Sequence, residues 1–208
     1  MIKLNKFKNM KFTTILKRGQ KTITLTTLAF LIIALIVTFA QPLKYKTSAK
    51  ILVIQEFGPE ADPFTVSRLN EYLSTSLANV IQSESFFQQT LNAGFNFDND
   101  YFSGSQRQQM KKWRNAVKAR ALYDSGLMTI TVYHPDSEQA QQLTHAIIKT
   151  LATKNNFYHS IQNVDIRIID SPSVSVLPVK PNVILNILVG IILGAMIGIW
   201  LVYREENK

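Results

Sequence analysis

The stretch SPSVSVLPVKPN (171–182) followed by VILNILVGIILGAMIGIWLVY (183–203) decides how this chain folds. The second part is almost wholly apolar. At ~1.5 Å rise per residue, about 20 such residues cross the ~30 Å hydrocarbon core of a bilayer, so it predicts a transmembrane helix over 183–203. The first part carries Pro172, Pro178 and Pro181, which lack a backbone N–H and hold φ at about −65°. It predicts a stiff, extended proline-rich strap over 171–182 that leads directly into the membrane.

Small residues recur every four positions along this predicted helix. Gly190, Gly194 and Gly198 share one face, and Asn186 extends that face by one turn. A glycine face lets another helix backbone approach closely, and an asparagine can hydrogen-bond across the contact. We therefore predict a helix-packing surface formed by these four residues. Its partner is either another helix of the same chain or a second copy of the protein.

The N-terminal region predicts a second membrane segment. Residues 1–21 form a leader with seven lysines and arginines and no acid, and TITLTTLAFLIIALIVTFA (22–40) follows it. A cleaved signal peptide is the alternative, because Thr38-Phe39-Ala40 resembles a cleavage site. However, the apolar run is longer than the ~7–15 residues of a signal-peptide core. We therefore predict a retained first transmembrane helix over 22–41.

The distribution of basic residues predicts the orientation in the membrane. The leader together with Arg204 and Lys208 places nine lysines and arginines beside one side of the two membrane segments. The other side carries four, at Lys44, Lys46, Lys50 and Lys180. Lysine and arginine are retained on the cytoplasmic side, so we expect both termini in the cytoplasm and the central residues outside the plasma membrane. Because most of the net charge of +9 lies in the leader, it does not indicate a nucleic-acid partner.

The residues between the membrane segments predict one α/β domain over 43–170. Alternating or β-branched runs predict strands, and apolar residues at spacings of three and four predict helices. In chain order we expect a strand at 43–55, a helix from Asp62-Pro63 to Ile81, a short helix near Phe86, a helix at 105–117, a hairpin of 118–123 and 127–134, a helix from Ser137 to about Phe157, and a last strand at 164–169. The first and last strands each adjoin a membrane helix, so they are expected to lie side by side. The predicted fold class is α+β, with helices packed on one face of a small, mostly antiparallel sheet.

One predicted helix carries a basic stripe. Arg107, Lys111, Arg114 and Lys118 recur at spacings of four, three and four, apart from the apolar Met110 and Trp113. A solvated helix face is the simpler interpretation. The alternative is contact with an anionic glycan, a pyrophosphate-linked lipid or membrane phosphates.

No catalytic pattern emerges from the sequence. There is no G-x-x-x-x-G-K-[ST] phosphate loop, and His134, His145 and His159 are scattered rather than set at metal-binding spacing. Ser125 lies in a D-S-G turn instead of a G-x-S-x-G elbow, and there is no cysteine. We therefore predict no catalytic residue, no metal, no cofactor and no enzymatic activity. The five residues 204–208 form the predicted cytoplasmic tail.

Three stretches taken together resemble the chain-length-determinant, or Wzz-like, polysaccharide co-polymerase family. They are LKYKTSAKILV after the first apolar segment, YHPDSEQAQQLTHAIIKTL with its Asp136 and Ala140, and IIDSPSVSVLPVKPNVIL before the second. The third is the strongest match, because it is similar to the proline-rich segment of that family. The short central domain resembles the compact Gram-positive-like form without a kinase domain.

This resemblance implies a non-catalytic homo-oligomer in contact with membrane lipids. It would regulate the chain length or export of a capsule, exopolysaccharide or O-antigen beside a polymerase and its lipid-linked glycan. An alternative implied by the family is a transmembrane activator of a separate cytoplasmic tyrosine kinase. The short tail at 204–208 favours the scaffold, although the basic leader offers another contact. A third hypothesis, independent of the resemblance, is a two-pass sensor with a ligand-binding central domain.

Overall fold

The structure is a computed structural model that describes residues 19–55, 62–123, 125–158 and 164–206, without the side chains of 155–157 and 206. Residues 1–18 of the predicted leader lie outside these described residues. The helices are α1 (Gln20–Phe39), α2 (Pro63–Val80), α3 (Glu84–Leu91), α4 (Gln106–Ala116), α5 (Ser137–Tyr158) and α6 (Val183–Glu206), with a 3₁₀ turn at Asn99–Phe102. The strands are β1 (Tyr45–Gln55), β2 (Val117–Ala121), β3 (Leu127–His134) and β4 (Val164–Val174).

The chain divides into two compact units. One contains the terminal helices α1 and α6, and the other, which we call the central domain, spans Leu43–Val179. Both terminal helices are long and apolar enough to cross a membrane. Only 6 % of the apolar window of α1 and 17 % of that of α6 is buried within the protein, unlike the core helix of a soluble domain.

The central domain contains a four-stranded sheet in the order β2-β3-β1-β4. All three strand pairs are antiparallel, and β1 lies between β3 and β4. The first and last strands are therefore neighbours, and the predicted α+β fold with two flanking membrane-type helices is confirmed.

The last strand continues further than the sequence predicts. β4 runs to Val174, which pairs with Thr47, so the first residues of the predicted strap belong to the sheet. Pro172 lies where the pairing register shifts, between the Ser48–Ser173 and Lys50–Asp170 pairs. A proline is tolerated there because β4 is an edge strand and an irregular ladder does not need every N–H.

The core lies on one face of the sheet. Ala49, Ile51 and Val53 of β1 are buried, and so are alternate residues of β3. Helices α2 and α5 cover this face with Leu73, Leu77, Leu143 and Ile147. Apolar residues at spacings of three and four give each helix one buried stripe, which explains why the helices gather on a single sheet face.

Aromatic side chains close one end of the core. The Phe87 ring lies 5.1 Å from Trp113 and 5.5 Å from Phe102, measured between centroids. The Trp113 indole Nε1 donates a 2.7 Å hydrogen bond to the carbonyl oxygen of Ile81. A buried tryptophan needs such a partner, so this bond fixes α4 against the end of α2.

Local capping explains where the helices begin. The Asp62 carboxylate accepts from the Thr65 N–H at 2.9 Å ahead of Pro63, and these hydrogen bonds lower the pKa of Asp62. The Asp136 carboxylate accepts from two N–H groups in the first turn of α5, at 2.8 and 3.0 Å. Helix α4 ends at Ala116 because Val117 is already extended, with φ −108° and ψ 130°, and enters β2 without a loop.

Candidate functional site: the membrane helix pair and the surfaces of the central domain

The glycine face of α6 lies against α1. Gly190, Gly194 and Gly198 are all buried, whereas the neighbouring Ile192, Leu193 and Met196 are exposed on the other sides of the helix. The face continues to the buried Val202, whose side chain fills the space beside Gly19 at the start of α1. Of the two partners left open by the sequence, the structure contains the helix of the same chain.

The helices approach so closely that a side chain would not fit at the glycines. A Cβ atom on Gly194 would lie 2.6 Å from the Cα of Thr27, and one on Gly198 would lie 2.8 Å from the Cα of Ile23. At Gly190 a Cβ would lie 2.8 Å from the Cβ of Ala34. Two of these neighbours are backbone atoms, which cannot move without moving α1 itself.

Hydrogen bonds join the two helices at one end and in the middle of this face. The Asn186 side chain donates from Nδ2 to the Thr38 hydroxyl at 3.0 Å, and that hydroxyl donates to the Ala34 carbonyl oxygen at 2.6 Å. The Thr26 hydroxyl lies 3.2 Å from the Gly194 carbonyl oxygen. Sequence reasoning singled out Asn186 but missed both threonines. The sequence signal that could have identified Thr26 and Thr38 is the presence of hydroxyl residues inside an otherwise apolar run.

The proline-rich segment is tied to the beginning of β1. The Ser175 N–H donates to the Lys46 carbonyl oxygen at 2.8 Å, and the Lys46 N–H donates to the Ser175 hydroxyl at 3.0 Å. Beyond a bend, the Val179 N–H donates to the Lys44 carbonyl oxygen at 2.8 Å. Pro178 precedes that last bond, and a cis peptide bond precedes Pro181. The segment is thus a sheet extension with one bend, and Val176 and Leu177 are exposed at the bend.

The predicted basic stripe divides between two elements. Arg107, Lys111 and Arg114 are exposed on α4, whereas Lys118 is exposed on β2. The Lys118 ammonium donates to the Arg114 carbonyl oxygen at 2.6 Å, and the Arg114 Nε donates to the Gln82 carbonyl oxygen at 3.4 Å. Within the described part of the chain, none of the four forms an ion pair.

His134 lies in a small polar cluster at the end of β3. Its ring packs edge-on against Tyr101 with centroids 4.3 Å apart, and its Nδ1 accepts from the Asp136 N–H at 3.1 Å. Burial lowers the pKa of His134, an effect that Asp136 and Asp98 oppose and Lys44 reinforces. Of the other two histidines, His145 stacks beside Phe95, and His159 lies outside the described residues. Nowhere in the described ranges do three or more potential metal ligands come together.

Two family models match successive parts of the chain. The first, "Chain length determinant protein", matches residues 10–93, which include α1, β1 and α2. The second, "G-rich domain on putative tyrosine kinase", matches residues 134–206, which include α5, β4 and the glycine face of α6. The chain belongs to the chain-length-determinant family. Membership in this family places it in polysaccharide chain-length determination or export. A search of curated proteins found no match.

Proposed function

We propose that the chain is a non-catalytic, oligomeric scaffold that regulates the chain length or export of a surface polysaccharide. The observation that carries the proposal is that two pairs of elements are neighbours, one pair in the sheet and one pair of terminal helices. The adjacent strands β1 and β4 connect through residues 40–44 and 175–182 to α1 and α6, which also pack together. Such short connections couple the arrangement of the central domains to the arrangement of the membrane helices.

The proposed topology is two-pass, with both termini in the cytoplasm. We propose a leader at 1–21, membrane helices at 22–41 and 183–203, a central domain at 43–170 outside the membrane, a strap at 171–182 and a tail at 204–208. The nine-to-four distribution of lysines and arginines supports this orientation. The first family match supports retention of α1, because it begins at residue 10 and continues through that helix.

Oligomerisation is proposed to use surfaces other than the contact between α1 and α6. Because the glycine face is used within one chain, contacts between protomers would come from the central domain. Its two edge strands, β2 and β4, are available for them. The stripe of Arg107, Lys111, Arg114 and Lys118 is proposed to face anionic lipid or glycan. The polymerase and its lipid-linked glycan are the proposed partners of the assembled scaffold.

Deletion of the gene in its own cell tests this function. We expect the distribution of glycan lengths on a gel to change, while total sugar incorporation stays within about twofold. Restoring the wild-type gene should restore the distribution. A gene with the conservative change Met196→Leu, on the exposed side of α6, should restore it as well. Loss of all incorporation, together with sugar transfer by the purified protein, would overturn the proposal. A monomer in mild detergent would instead support the two-pass sensor.

Activation of a separate tyrosine kinase is the second candidate, and the description of the second family match favours it. The contact would lie on the cytoplasmic side, where the leader supplies a strongly basic segment. Removal of residues 2–18 from the leader should abolish phosphorylation of a kinase expressed from the same locus. Unchanged phosphorylation after removal of both the leader and 204–208 would rule this candidate out.

A further inference from the structure

One face of the sheet carries polar residues and is not covered by any described helix. Side chains alternate between the faces of a strand, so the residues between the core positions point away from the helices. On β3, Thr129, Thr131 and Tyr133 alternate with the buried Met128, Ile130 and Val132. Sequence reasoning recognised this alternation but could not show what lies beside it.

Strand pairing brings three cations to these hydroxyl groups. The register sets Lys118 and Arg120 of β2 opposite Thr131 and Thr129, and Lys46 of β1 opposite Tyr133. Together these six side chains line a groove of about 260 Å³, which we call the basic groove. It spans three strands at the β2 edge of the sheet.

The charges in the basic groove are not neutralised. Elsewhere on the same face, Lys50 contacts Asp170 at 3.0 Å and Arg167 contacts Asp165 at 2.6 Å. By contrast, no acidic residue lines the groove, and within the described residues Lys46, Lys118 and Arg120 form no ion pair. The bond from Lys118 to the Arg114 carbonyl oxygen positions its ammonium without cancelling the charge. Three cations held together in this way attract an anion.

The lining favours a charged sugar over a membrane surface. Thr129, Thr131 and Tyr133 are only partly exposed, and their hydroxyl groups can donate to and accept from sugar hydroxyls. A membrane surface is better met by protruding side chains such as the exposed Lys111 and Arg114 on α4. The groove is slightly smaller than the ~300 Å³ typical of small-molecule sites, so it suits one charged sugar unit of an extended chain.

We propose that the basic groove binds the carboxylate or phosphate of an anionic sugar chain. Lys118 and Arg120 pair with the charged group from one side and Lys46 from the other, while the β3 hydroxyls contact the sugar ring. The inference rests on the proposed function for its biological meaning. Its test is a binding measurement, which does not depend on how glycan length responds to gene deletion.

The test uses the full chain in detergent and titrates it with polygalacturonate, with dextran as the uncharged probe and phosphatidylglycerol vesicles as the lipid probe. We expect binding of polygalacturonate that weakens with salt. The double variant Lys118→Gln/Arg120→Gln should weaken it by about tenfold or more, because hydrogen bonds to charged groups are lost. The matched variant Lys112→Gln/Lys154→Gln, with the same charge change at exposed sites outside the groove and the basic stripe, should stay within about twofold.

Charge-preserving exchange provides the second control. Lys118→Arg/Arg120→Lys should retain most of the binding, which separates a loss of charge from a loss of folding. Equal weakening by the groove pair and by the Lys112 and Lys154 pair would overturn the proposal, because it would show attraction by overall charge alone. Binding of dextran as tight as that of polygalacturonate would overturn it too. So would groove-dependent binding of vesicles without binding of polygalacturonate.

Discussion

The helix pair and the core of the central domain solve opposite packing problems. The core is filled by large side chains such as Phe86, Phe87 and Trp113, and the hydrophobic effect drives their burial. The helix pair instead has glycines at its contact, and most of its leucines and isoleucines point outward. In lipid there is no hydrophobic gain from covering an isoleucine, so close backbone approach and interhelical hydrogen bonds hold the helices together. Large residues thus stabilise one region, and small residues stabilise the other.

The largest predicted effect is the loss of stability when a large side chain is removed from the core. Trp113→Ala should destabilise the central domain by about 3–5 kcal/mol, because it leaves a cavity and an unpaired Ile81 carbonyl oxygen. Denaturant unfolding followed by circular dichroism measures this loss. Tyr123→Ala is the matched control, because Tyr123 is 91 % exposed, and it should change stability by less than about 0.5 kcal/mol. Similar losses for both variants would contradict the packing described for α4.

Adding a side chain should damage the helix pair instead. Gly194→Leu forces atoms into the Thr27 backbone and should cost about 1–3 kcal/mol or separate the helices. Because the chain lacks cysteine, the pair Thr38→Cys/Asn186→Cys can report the contact, since these two side chains already touch across the helices. A disulfide within one chain should form in the otherwise wild-type background and be lost with Gly194→Leu. The control Thr38→Cys/Leu185→Cys should not cross-link, because Leu185 lies on the exposed side. Cross-linking only between chains would show that the glycine face joins protomers.

The hydrogen bond between Asn186 and Thr38 should contribute less. Asn186→Leu and Thr38→Val should each weaken the helix pair by roughly 0.6–2 kcal/mol. Their effects should not add, because each variant removes the same bond. A double-mutant cycle, read from denaturant unfolding of the full chain in detergent, measures this coupling. Fully additive losses would mean that the two side chains do not interact.

The smallest predicted effect is a pH dependence from His134. Its native pKa lies below the ordinary 6.5 because of burial, so between these two values the unfolded chain binds more protons than the native chain. Stability of the central domain should therefore be highest above about pH 6.5 and fall as the pH drops through the native pKa. His134→Gln should flatten this dependence in unfolding measured from pH 8 to pH 5. An unchanged slope would assign the dependence to other titratable groups.

Local sequence patterns were enough to predict the two long apolar helices, the helix caps and the order of strands and helices. Each depends on residues close together in the chain: an apolar run over 183–203, Asp62 before Pro63, or the alternation of Thr129 and Thr131 with their apolar neighbours. Such local patterns determine which segments are helix or strand and which face of each is apolar.

The contacts that each face makes became known from the three-dimensional fold. Asn186 and the glycines of α6 indicated a close contact, but their partners Thr38 and Thr26 lie on a helix about 150 residues earlier. Strand register brought Lys46 opposite Tyr133 and Lys118 opposite Thr131 on the same strand, although residues 46 and 118 are far apart in sequence. Contacts of this kind depend on which surfaces fit together in three dimensions. The spacing of residues along the chain does not predict them.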